Sequence, residues 1–320
     1  MFPVRALALA TSALLGVTPA VAAPTPSPTP TSSPSVAPTP VPTPTKTPKP
    51  KPKKTIERVK VAITPDKGSF GVGQLITAKF SAPVAYKANA ERAMVVTGSN
   101  PLPPGAWGWI DSTTAVYRPK DFWPGHTRID VNLSLHKVRL NGDASTRWIG
   151  GVNSTRTVKL RTTRSMVSKI NANTHQMRVY RDGVLIKVFG VSLGKPGFVT
   201  RSGIKIITGE KYRWQRMTSG DLGLTDETYD LQVPYAVRIT PSGEFIHGAP
   251  WASARIGVYN GSHGCTNLKV PPARWFFERV KAGDPTVTTG TGRPMETWNG
   301  TPGAYWNYSW ADWKAKSALS

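Results

Sequence analysis

Met177-Arg178-Val179-Tyr180-Arg181-Asp182-Gly183-Val184-Leu185-Ile186-Lys187-Val188-Phe189 reads as two β-branched and aromatic runs joined by Asp-Gly. An Asp-Gly pair between such runs is a specific signal for a two-residue β-hairpin, because the turn needs positive φ at both central positions. The unit that opens near Ser165 is therefore β-structured from its start. Upstream, Val59 to Ile63, Ile76 to Phe80 and Ile129 to Leu135 alternate with a period of two, which puts their apolar members on one face. Thr64-Pro65-Asp66-Lys67-Gly68 and Trp123-Pro124-Gly125 supply turns between them. Residues 57–162 thus read as an all-β sandwich with no helical stretch, and His126 and His136 read as surface residues. Downstream, one helix is marked. Pro271-Pro272 opens it, Trp275, Phe276 and Val280 lie along its buried face, Gly283 closes it and Pro285 prevents continuation. The tail from residue 291 to 320 carries Trp298, Trp306, Trp310 and Trp313. It reads as an apolar extension packing on the second unit, residues 163–290, in preference to a sugar-binding platform.

The beginning of the chain reads differently. Arg5 precedes an apolar stretch from Ala6 to Val17 and the small-residue site Ala20-Val21-Ala22, the pattern of a signal peptide over residues 1–22. That apolar run is well short of the ~20 residues that span a bilayer. Residues 23–56 read as a linker whose stretch from Pro24 to Lys54, Pro-Thr-Pro-Ser repeats turning into Lys-Pro alternation, is an extended tether reaching roughly 90 Å at ~3.1 Å per residue. The chain has one cysteine, so no internal disulfide can form. Its formal charge is +23; residues 1–54 hold six basic residues and no acidic ones, which leaves +17 for the rest. For an exported protein this balance points to anionic envelope polymers, with solubility alone as the bland alternative. No nucleic-acid motif, metal-ligand cluster or cofactor signature is present.

Chemistry concentrates in Phe245-Ile246-His247-Gly248-Ala249-Pro250-Trp251 and Asn260-Gly261-Ser262-His263-Gly264-Cys265-Thr266-Asn267. The only cysteine stands two residues after His263 and eighteen after His247. Thiol catalysis needs a base for the thiolate, a group to orient that base, and N–H donors for the oxyanion. Gly261 and Gly264 allow a tight backbone whose amides can supply those donors. Both histidines are candidates for the base, and an inert buried cysteine is the competing reading.

At these residues the sequence resembles the L,D-transpeptidase family, whose signature is a histidine, an interval of about fourteen residues, then Ser-His-Gly-Cys, one variable residue and Asn. Here it reads His247, fourteen residues, then Ser262 to Asn267, with Thr266 where many members have an aliphatic residue. The resemblance covers about residues 165–290. It implies a mainly β fold: an immunoglobulin-like sandwich, then a β-rich catalytic domain with a short helix and a Trp-rich C-terminal subdomain, as in the actinobacterial branch. It further implies a cysteine acyltransferase of peptidoglycan stem peptides. Cys265 attacks a tetrapeptide donor, expels the terminal D-alanine and passes the acyl group to a diamino-acid acceptor, giving a 3→3 cross-link. Position by position, His247 corresponds to the base, the Gly248 carbonyl to its orienter, and the Gly264 and Cys265 amides to the oxyanion hole, with His263 in support. Tyr229 matches a tyrosine lining the site, and Lys211 to Tyr229, with Trp214 and Met217, looks like the flap over the donor. Trp251, Ser262 and Asn267 complete the expected substrate-binding set. Members are also acylated by carbapenems. Two alternatives stay open, a sortase-like enzyme with Arg274 as its arginine and a non-catalytic wall-binding protein; His175 and Glu244 have no assigned role.

Overall fold

The computed structural model describes residues 53–223, 228–297 and 302–320. The leader expected in residues 1–22, residues 23–52 of the tether and Trp298 lie outside them. Among the described residues no helix is long and apolar enough to cross a membrane.

Residues 53–162 form the sandwich. One antiparallel sheet runs in the order Val61–Thr64, Ile76–Phe80, Thr114–Pro119, Gly105–Trp109. The facing sheet runs Gly68–Phe70, Thr155–Thr162, Arg128–Ser134, Met94–Gly98. Alternation sets the core: Ile129, Val131 and Leu133 turn inward to meet Ile63, Phe80 and Trp107. The sandwich also contains a helix that the sequence reading missed, Lys87–Arg92. Six residues are too few to show a 3.6-residue period. A tertiary bond anchors it, since buried Glu91 accepts from Trp109 Nε1 at 2.7 Å.

The following unit has two sheets. The first, mixed, runs Val184–Gly190, Gln176–Arg181, Met166–Asn171, Pro285–Thr289, Gly203–Ile206. Its hairpin turns at Asp182 and Gly183 with φ of 49° and 84°. The second runs Lys211–Thr218, Asp230–Arg238, Phe245–Gly248, Thr266–Leu268, the last two strands parallel. Helix Val270–Arg279 lays Ala273 and Phe276 on this sheet, in one cluster with Val237, Ile246 and Leu268. Pro271 and Pro272 occupy its first turn, where a missing N–H costs nothing.

The C-terminal segment reaches further than an extension packed on the second unit alone. Trp306 and Trp313 are buried with Leu75 and Val116 of the sandwich. Trp306 Nε1 donates to the Gly73 carbonyl at 2.8 Å and Trp313 Nε1 to the Ala106 carbonyl at 3.1 Å. The Arg118 guanidinium lies within 5.7 Å of the rings of Trp306, Trp310 and Trp313 and donates to the Tyr305 and Tyr308 carbonyls. On the other side Asn307 bonds both the N–H and the carbonyl of Ile204, at 2.7 and 2.8 Å. The tryptophans are therefore a seam between sandwich and second unit.

Candidate active site

The loop Gly261–Cys265 leads into the strand Thr266–Leu268 and is pinned from behind by residues 191–200, a segment with no sequence signal of its own. Asn267 and Ser192 exchange backbone hydrogen bonds, Ser262 N donates to the Leu193 carbonyl and Lys195 N to the Ser262 carbonyl. Thr200 Oγ1 adds a bond to the Gly264 carbonyl at 2.8 Å. Gly264 adopts φ +117°, a region open to glycine and strained for any side chain. Buried Ser262 closes the turn: its Oγ donates to the Cys265 carbonyl at 2.6 Å and accepts from Gly264 N–H at 3.1 Å.

Half-buried Cys265 directs its Sγ toward the Gly243 carbonyl at 3.9 Å and packs with Val233, Ala236 and Phe245. Burial pushes the thiol up to about 11; Glu244 adds to the rise, while the Phe245 amide and Lys205 oppose it. His247 is in register with Asn267 across the parallel pair, which turns both toward the same face. Its Nδ1 lies 2.9 Å from the Gly248 carbonyl, a contact that places the proton on Nδ1 and leaves Nε2 as the acceptor. Burial pulls the imidazole down to about 4, against a small opposite pull from that carbonyl. The resting pair is therefore a neutral thiol and a neutral imidazole. Gly248 has no room for a side chain, since a Cβ would stand 3.0 Å from Pro234 Cγ.

Cys265, His247, His263 and Gly264 line one cleft of about 940 Å³, together with Tyr229, Trp251, Met217, Ser262 and Asn267. Gly248 sits behind His247. The His263 ring stands 4.8 Å from that of Phe198 and 5.2 Å from that of Tyr229, and Trp251 stands 6.3 Å from His247. Asn267 lines this cleft, and its buried Oδ1 has no hydrogen-bond partner among the described residues. Two readings that the sequence left open do not hold. Trp214 is 62% exposed on the flap strand and does not line the cleft, because strand alternation sends it to the face opposite Met217. Arg274, which a sortase-like site would require, is an exposed residue paired with Glu278 along its helix at 2.8 Å. Sequence reasoning also left His175 and Glu244 unassigned. His175 Nδ1 contacts Asn260 Oδ1 at 3.2 Å, and Glu244 lines the cleft, held by Arg201. Among the described residues no group of side chains is arranged to hold a metal.

Comparison with known proteins matches this architecture. The L,D-transpeptidase catalytic domain model matches residues 165–288, and a bacterial Ig domain model matches residues 45–139. The chain is 30% identical to L,D-transpeptidase 2 of Mycobacterium tuberculosis, over 78% of this chain and 59% of that protein's length. It is 32% identical to the probable L,D-transpeptidase 3 of the same species, over 71% of this chain and 84% of the relative. An LD transpeptidase solved in complex with imipenem superposes with a TM-score of 0.59 at 28% identity, covering 72% of this chain and 99% of that one. Fold, site and relatives agree, and the chain belongs to the L,D-transpeptidase family.

Proposed function

We propose that this protein is an exported cysteine L,D-transpeptidase that forms 3→3 peptidoglycan cross-links. The observation that carries the reading is His247, its Nδ1 anchored on the Gly248 carbonyl and its other nitrogen turned into the cleft that holds Cys265. Nε2 takes the thiol proton as sulfur attacks the carbonyl of the donor's third residue, and the tetrahedral intermediate then collapses to the thioester as the imidazolium returns that proton to the departing terminal D-alanine. The side-chain amine of a second stem then takes the acyl group. The Gly264 and Cys265 amides receive the oxyanion. Ser262 Oγ holds the Gly264 N–H at rest, and a charged oxygen outcompetes a neutral hydroxyl for that donor. Tyr229, Trp251, Met217 and Asn267 shape the donor side of the cleft, and His263 supports the thiolate or oxyanion. The strained carbonyl of a carbapenem would enter the same position and acylate Cys265. The basic charge outside the tether favours residence near anionic wall polymers.

The test is mass spectrometry of muropeptides after incubation with tetrapeptide-containing wall fragments, with the wild type and Cys265→Ser in parallel. The wild type should yield 3→3 dimers and free D-alanine. The variant should yield neither while melting like the wild type, because a hydroxyl is far harder to ionise than a thiol. Cross-links from the serine variant would remove Cys265 from the reaction.

A further inference from the structure

Behind the cleft, Arg201, Lys205 and Glu244 form a buried ion cluster. Their side chains are 8%, 0% and 12% exposed. Arg201 grips Glu244 with Nε at 3.2 Å from Oε1 and Nη2 at 2.9 Å from Oε2. Nη2 also donates to Ser242 Oγ at 2.6 Å, and Nη1 to Glu296 Oε2 at 2.7 Å. Lys205 Nζ lies 3.4 Å from Glu244 Oε2 and makes no well-aligned hydrogen bond among the described residues. Such a cluster is a poor device for stability: each ion loses several kcal/mol of hydration, and apolar side chains of similar volume do as well or better.

Its position gives it another use. Glu244 stands between Gly243, whose carbonyl meets the Cys265 sulfur at 3.9 Å, and Phe245, whose ring packs on Cys265 and whose N–H favours the thiolate. The backbone of Glu244 is fixed as well, its N–H donating to Thr240 Oγ1 at 3.0 Å and its carbonyl accepting from Ile239 N at 3.0 Å. Arg201 is held cationic by Glu244 and Glu296, whereas burial pulls the Lys205 ammonium below its ordinary value and the Glu244 carboxylate at 3.4 Å works to keep it charged. Glu296 is more exposed and also pairs with Arg293, so it offsets Arg201 from the solvent side. The charged and titratable groups around the sulfur region are Lys205 and Glu244 from behind, Arg238 over the Phe245 ring, and His247, His263 and Tyr229 along the cleft, with Lys195 and Arg255 farther along its lining.

Resting on the assignment of Cys265 as nucleophile, we infer that Arg201, Glu244 and Lys205 are positioning residues for it. Arg201 and Glu244 hold the Ser242–Phe245 turn that carries the backbone contacts to the sulfur. Lys205 supplies the buried positive charge that the thiolate meets.

Two variants read the assembly through the thiol itself. Lys205→Met keeps length and removes charge, leaving Glu244 still paired with Arg201; Glu244→Gln keeps shape and removes the negative charge. Iodoacetamide, a small electrophile, reports the thiolate fraction of Cys265 in the folded full chain on the rising limb of its pH profile. Lys205→Met should slow alkylation on the order of tenfold at a given pH, and Glu244→Gln should speed it by a similar factor. Loosened packing would move both in one direction, so opposite shifts are the signature. If Lys205→Met fails to fold, Lys205→Gln takes its place in the comparison. A folded Lys205→Met with the wild-type profile, or Glu244→Gln that slows alkylation or leaves it unchanged, overturns the inference. Loss of cross-linking with both shifts intact would instead count against the proposed reaction, because alkylation does not depend on it.

Discussion

Lowering the pH from 8 to 4.5 should leave the rate at which imipenem acylates Cys265 almost unchanged until close to pH 4. An ordinary imidazole with pKa ~6.5 is only about 9% neutral at pH 5.5, which would cost such a base roughly tenfold in rate. His247, held at about 4 by burial, is about 97% neutral at the same pH. The shift of about 2.5 units corresponds to about 3 kcal/mol favouring the neutral ring. With the thiol at about 11, the neutral pair is the dominant ionisation state from about pH 4 to 11, and the rate should hold a plateau there. The fold should survive the assay. His247 titrates lower folded than unfolded, so its stability contribution is complete above about 6.5 and is lost as the pH falls through 4, about 3 kcal/mol in all. Asp284, raised to about 6 by burial despite Arg164, has the opposite sign: the folded state takes its proton first and gains about 3 kcal/mol as the pH falls from 6 through the ordinary carboxylate range. The two nearly cancel between 4 and 6. Acylation is followed by intact-protein mass against pH, with circular dichroism as the control. An acid limb centred near 6.5 would show that His247 is solvated when it acts. A tenfold climb per pH unit from 6 to 9 would show that the thiol ionises without it.

His247→Ala should lower acylation by on the order of 10²- to 10⁴-fold, and His263→Ala should slow it while keeping the plateau; stopped-flow acylation of both variants checks the order, and the reverse order would exchange their roles. Trp313→Ala removes a fully buried indole and its bond to the Ala106 carbonyl, so thermal or denaturant unfolding should show about 3–5 kcal/mol of lost stability. A chain beginning at residue 163 keeps every residue of the cleft but uncovers Trp306 and Trp313 where Leu75 and Val116 packed on them. It should retain acylation by a small donor if it folds, and melt well below the full chain; equal melting would mean that the tryptophan seam adds nothing.

The cleft was legible wherever its chemistry sits in one short run. His247 lies on one strand and Ser262 to Cys265 form the loop that runs into the adjacent parallel strand Thr266–Leu268, so the spacing between them is the length of the connecting crossover. Asp182-Gly183 was legible for the same reason, since its φ values are a local demand. Residues 191–200 were not, although they hold the Cys265 loop through Ser192, Leu193, Lys195 and Thr200. They act through backbone groups and two hydroxyls, which carry no periodic or compositional signature. For Trp214 the sequence left pocket lining and ordinary packing level, and neither holds: alternation puts it on the exposed face of the strand Lys211–Thr218.

Lys205 shows how a distant segment decides what a local pattern means. In Ile204-Lys205-Ile206 the period of two would bury the isoleucines in the domain's own core and leave the lysine to solvent. The strand Gly203–Ile206 instead has apolar partners on its other side. Ile204 and Ile206 pack into the cluster built by Trp306 and Trp313 with Leu75 and Val116 of the sandwich. The face that reads as core is thus spent on the C-terminal seam, and the lysine is turned inward to full burial, where Glu244 is the carboxylate that meets it. The cost of burying that ammonium falls on the fold, and its field falls on Cys265. A lysine placed behind Cys265 is in this way a consequence of where residues 302–320 dock.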